Sequence, residues 1–80
     1  MKLLQWRFLL AKLPSVSGKK IIRALRKLGF VVVRQKDSHV ILQKESSLLT
    51  VPLHEPVKKS TLNAILKQAD VSLEELLEHL

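Results

Sequence analysis

Eighty residues, 46% of them hydrophobic and none of them cysteine, bound the chain to one small domain held by apolar packing, with no disulfide staples and none of the usual thiolate zinc sites. A formal charge of +7 points to a polyanion, most simply nucleic acid, while three aromatic residues (Trp6, Phe8 and Phe30) are too few to bind a single strand by stacking successive bases. The charge is uneven: residues 14–69 carry eleven Lys/Arg against Asp37, Glu45 and Glu55, and residues 70–80 carry four acids and no Lys or Arg.

Residues 1–13, MKLLQWRFLLAKL, form an N-terminal extension. Leu3, Trp6, Leu10 and Leu13 fall at helical spacing, but the stretch is too short to span a bilayer and Arg7 interrupts it. Residues 14–80 read as a single domain. Ser17 is a sound helix N-cap, and a helix is expected over 18–28, with Ile21, Leu25 and Leu28 on one stripe and cations on the other faces. Gly29 ends it in a position suited to positive φ.

Three short strands are expected next. Phe30 to Arg34 is β-prone, Lys36-Asp37 makes a turn, Ser38 to Lys44 is the second strand, Glu45-Ser46-Ser47 turns again, and Leu48 to Pro52 is the third. Alternation in the second strand puts Val40 and Leu42 on the core side, with His39, Ile41 and Gln43 on the other. A loop with His54 between Pro52 and Pro56 leads to a second helix from about Lys58 to Ala69, with Ser60 available as its cap. Ser72 and Glu75 form a capping box for a last short helix carrying Leu73, Leu76, Leu77 and Leu80. The expected class is α+β, in the order α-β-β-β-α plus a short C-terminal helix, with a three-stranded antiparallel meander and the helices on one face.

The residues carry a resemblance. Leu13-Pro14-Ser15-Val16-Ser17-Gly18-Lys19 at the helix start and Gly29-Phe30 at its end are followed by Arg34-Gln35-Lys36, Ser38-His39 and Thr50-Val51-Pro52-Leu53-His54. Lys58-Lys59, Thr61-Leu62 and Ile65-Leu66-Lys67-Gln68-Ala69 complete the set. In this order and spacing the chain resembles the HicA-type toxins, mRNA interferases of toxin–antitoxin pairs, from Leu13 to about Leu77. The resemblance implies a fold like the double-stranded-RNA-binding domain, metal-independent endoribonuclease activity on mRNA, and an antitoxin partner of the HicB type. Asp37 and Ser60 stand where glycine is common in such chains.

A strand histidine taken alone is more often structural; the resemblance makes His39 catalytic, since proton transfer at the 2′-hydroxyl or the leaving oxygen suits an imidazole. Ser38, Lys36, Arg34, Lys44 and His54 are the supporting candidates around it, the cations meeting charge that grows on phosphate. Lys19, Lys58 and Lys59 are the RNA-binding candidates, the last two because a helix N-terminus favours phosphate. The three histidines, His39, His54 and His79, lack metal-ligand spacing, so neither metal nor cofactor is expected. The location expected is cytoplasmic, with no membrane partner. Two rival readings are a non-catalytic RNA-binding module and a basic domain that meets an acidic protein.

Overall fold

A computed structural model describes residues 15–80; the expected extension over 1–13 lies outside the described residues. The elements are α1 (Gly18–Lys27), β1 (Val31–Lys36), β2 (His39–Lys44), β3 (Ser47–Pro52), α2 (Lys59–Ala69) and α3 (Leu73–Glu78). The α+β class and the α-β-β-β-α order with a further short helix are as expected.

Ser17 opens α1 in extended conformation, its side chain accepting from the Lys20 N–H at 3.3 Å. Ile21, Ala24 and Leu25 are buried on its inner stripe. Its end is a Schellman arrangement: the Gly29 N–H donates to the Arg26 carbonyl at 3.1 Å and the Phe30 N–H to the Leu25 carbonyl at 3.0 Å. Gly29 sits at φ +105, where a side chain is strained and where a Cβ would press on Lys44.

The strands form an antiparallel meander in the order β1-β2-β3. Both turns hold two residues: Lys36 pairs with His39 around Asp37-Ser38, one step past the expected Lys36-Asp37, and Lys44 pairs with Ser47 around Glu45-Ser46, one residue shorter than the expected turn. Asp37 and Glu45, first in each turn, adopt φ 55. That conformation explains why glycine suits position 37, and aspartate is one of the residues that tolerates it. β1 is two residues longer at its far end than expected, because Gln35 and Lys36 still pair with Val40 and His39. Its pairing slips by one residue between Val32 and Arg34, leaving Val33 as the extra residue of a β-bulge.

Val40, Leu42, Leu49 and Val51 line one face of the sheet and meet Ile21, Leu25, Leu62, Ile65, Leu66 and Leu76 from the three helices. Each such side chain, fully buried, is worth roughly 1.5–3 kcal/mol, so this layer carries the stability of the chain. β1 buries none of its six side chains, and Val31 is 60% exposed. Helix α2 starts at Lys59 with Lys58 as N-cap and no side-chain cap bond, so the expected cap, Ser60, lies inside the helix. The apolar anchors set this start: Val57 is buried and its N–H donates to the Val16 carbonyl at 2.9 Å, and Leu62 is buried one turn on. The Ser72–Glu75 capping box before α3 is present as expected.

Candidate functional site

Register assigns every candidate in the sheet to a face, because directly paired residues share one. Val40 and Leu42 point into the core, so His39, Ile41 and Gln43 lie on the open side. His39 is exposed and is paired on one side with Lys36 and on the other with Pro52. The next row is Arg34, Ile41 and Thr50, and the third is Val31, Gln43 and Leu48. Lys36 is therefore the cation directly across from His39, with Cβ atoms about 5 Å apart in such pairs, and Arg34 is the diagonal one. Thr50, given no role from sequence, is exposed on the same face one row away. Its signal was its place two residues before Pro52, on the same alternation.

The end of the sheet that holds His39 is also where three loops meet. Ser38 sits in the β1–β2 turn, and its carbonyl accepts from the Leu53 N–H at 2.7 Å, carrying the ladder one step past Pro52. The His54 carbonyl accepts from the Gly18 N–H at 2.9 Å, which ties the start of α1 to the exit of β3. Gly18 is buried against the Pro52 carbonyl and Leu53, leaving no room for a Cβ. The bond from Val57 to Val16 then brings the start of α2 alongside the start of α1. Lys19, His54, Lys58 and Lys59, all exposed, are gathered by these bonds at the His39 end of the fold.

Lys44 is not part of this group. Two residues beyond Leu42, it faces the helical side, where its Nζ donates to the Leu28 carbonyl at 2.9 Å and lies 5.8 Å from the centre of the Phe30 ring. A cation there satisfies an orphan carbonyl at the negative end of α1. His79 lies after α3 with its Nδ1 2.8 Å from the Glu75 carbonyl.

The arrangement offers an exposed imidazole, two cations beside it on the same face, and further cations at two helix starts. This suits proton transfer at a phosphodiester whose charge is held electrostatically. Among the described residues no group of three or more His, Cys, Asp or Glu could hold a metal ion, and no helix is long and apolar enough to cross a membrane.

Comparison with known proteins adds one finding. A family model described as the HicA toxin of bacterial toxin–antitoxin systems matches residues 18–71, from the first residue of α1 to just beyond α2. No curated protein matches the chain.

Proposed function

Because the chain belongs to the HicA toxin family of bacterial toxin–antitoxin systems, we propose that it is an endoribonuclease that cuts mRNA without metal and so blocks translation. The observation that carries this reading is the exposed His39 placed directly across the sheet from Lys36, with Arg34 on the same face. The 2′-oxygen of a nucleotide attacks its own 3′-phosphorus, the bond to the 5′-oxygen breaks, and the products end in a 2′,3′-cyclic phosphate and a 5′-hydroxyl. One proton leaves the 2′-hydroxyl and one reaches the 5′-oxygen. His39 carries one of these transfers, and the other is exchanged with His54 or solvent. Lys36 and Arg34 stabilise the negative charge that grows on the phosphoryl oxygens. Ser38 positions His39 through the turn, and Lys19, Lys58 and Lys59 hold the flanking phosphates.

The family brings an antitoxin as partner. We take this to be a HicB-type protein that covers His39 and the cations beside it, in the cytoplasm where mRNA is met. The deciding measurement is cleavage of chelator-treated RNA by the wild type and by His39→Ala, both checked for folding by circular dichroism. A loss of about 10²–10⁴-fold is expected for removing a proton-transfer group. The fold should survive, since His39 is exposed and no buried volume is removed. Equal rates would take His39 out of the reaction and leave an RNA-binding module that does not cut.

A further inference from the structure

The open face of the sheet changes character along its length. Beyond the row of Arg34, Ile41 and Thr50 comes the row of Val31, Gln43 and Leu48, which carries no charge. Val31 and Leu48, the two outer members of this row, are each 60% exposed. β-propensity accounts for the valine, but leucine is not among the residues that strands favour, and nothing among the described residues covers it. Ile41, half-buried, continues the apolar surface toward His39. The row spans two strand spacings, about 10 Å. A strip one side chain deep and this wide falls far short of the roughly 800 Å² per partner that a stable protein interface buries. It is wide enough for one planar ring.

Gln43, between the two apolar walls, is held in one orientation. Its Nε2 donates to the Glu45 carbonyl at 2.9 Å, in the turn that follows β2. Only the nitrogen of an amide can donate to a carbonyl, so this bond settles which end of the group is which. One N–H and the Oε1 acceptor are left over, and no group among the described residues bonds to either. A glutamine free to turn its amide matches a donor–acceptor edge as readily as an acceptor–donor edge; this one is set for a single order. Gln43 is four residues along β2 from His39, about 14 Å at 3.4 Å per residue. At about 3.4 Å per nucleotide in a stacked strand, that gap holds no more than about four nucleotides.

We propose that this row is a subsite for one base of the RNA strand, in which Gln43 selects an amino base, adenine or cytosine, over a keto base, guanine or uracil. Adenine and cytosine present an exocyclic N–H beside a ring nitrogen that accepts, which matches Oε1 and the remaining N–H of Gln43. Guanine and uracil present the reverse, an oxygen beside a ring N–H, and held by its sugar a base offers that edge in one order. Val31, Leu48 and Ile41 take the face of the ring by apolar contact, one base rather than a run of them. Base edges are open to such reading where the strand is single and its bases are splayed. Arg34, one row nearer His39, draws the backbone along the same face. The proposal rests on the open face being where RNA is cut, and adds to it a preference for what is cut.

The experiment uses the full chain and a pool of unstructured single-stranded RNA, with the cut products sequenced. Adenine and cytosine should be enriched about three- to tenfold, the worth of one net hydrogen bond, at a single position within about four nucleotides of the cut. Replacing adenosine there by purine riboside, which lacks only the amino group, should lose the same factor; this arm needs no variant to fold. Gln43→Met should bring the adenosine-to-purine ratio to about one. Leu48→Ser should weaken both strands alike, by roughly three- to tenfold for a half-buried leucine, and keep the ratio. The same two strands are also titrated by fluorescence anisotropy against the chain carrying His39→Ala, which reads the ratio as affinity. A wild type that cuts no RNA but binds adenosine over purine riboside would remove the cleavage reading and keep the subsite. Equal treatment of the two strands in both assays overturns the proposal. So does a ratio that survives Gln43→Met, or Leu48→Ser that weakens neither strand, which would leave the row as a patch for a protein.

Discussion

Lys44→Met separates a structural cation from a catalytic one. From the sequence, Lys44 belongs with the phosphate-holding group around His39; in the fold it caps α1 through the Leu28 carbonyl and lies over Phe30. Methionine keeps the length and most of the apolar stem while removing the ammonium. Three terms are lost: a hydrogen bond to a carbonyl, at about 0.5–1.5 kcal/mol; a cation at a helix C-terminus, at about 0.3–1 kcal/mol; and an exposed cation–π contact, at about 0.5–1 kcal/mol. Lys44 is exposed, so the low end of each applies, and the expected loss is about 1–2 kcal/mol. For a chain of this size that corresponds to a fall in melting temperature of roughly 5–12 °C. Urea unfolding followed by circular dichroism gives the stability, with an unchanged m-value as the sign that only stability moved. RNA cleavage measured well below the melting temperature should stay within about twofold of wild type, since no transition-state interaction is touched. A variant as stable as wild type but slowed tenfold or more would refute the reasoning and return Lys44 to the phosphate.

Gly18→Ala should cost about 1–3 kcal/mol, because its Cβ would overlap the Pro52 carbonyl and force the start of α1 away from the exit of β3; thermal melting tests this, and a neutral result would mean the junction yields freely. Lys58→Ser should act in two directions at once. It supplies the side-chain cap that α2 lacks, adding about 0.5–1 kcal/mol to stability, and it removes a phosphate contact, flattening the salt slope of single-strand RNA binding by about 0.7. Stability gained with no change in slope would show that Lys58 does not meet RNA.

The sheet was legible because strand two states its own faces. Val40 and Leu42 alternate with polar neighbours, and that placed His39 on the open side without any tertiary knowledge. Ser17, Gly29 and the Ser72–Glu75 pair were legible for a similar reason: capping is local chemistry written within four residues. Lys44 followed the same alternation, two residues past Leu42, but its sequence proximity to His39 outweighed the parity that sends it to the helical side. The start of α2 was legible to within a residue but its cap was not: Lys58 rather than Ser60 holds the N-cap position, because Val57 docks on Val16, forty-one residues away in sequence, and no local pattern announces that contact. For the same reason the exposure of Val31, Val32 and Val33 was hidden. A triplet of valines specifies a strand, and only the placement of the helices decides whether anything covers it.

The slip in β1 works as a dislocation does in a regular lattice. Phe30 is buried, and strict alternation from it would send Arg34 and Lys36 into the core; the turn at Asp37 demands the reverse, and one surplus residue reconciles the two ends. That surplus falls within three identical valines, so moving the defect by a residue exchanges valine for valine and leaves the composition of both faces unchanged. Among the described residues no neighbour locks it, since β1 is an edge strand of the sheet with no buried side chain. Amide exchange should accordingly be faster at 31–33 than at 34–36, and equal protection would mean the defect is pinned. A mobile defect lets the upstream half of the strand glide while the downstream half, hinged on the turn, keeps both cations in phase with the imidazole. Small motions of α1 are then absorbed as glide before they reach the row that holds His39.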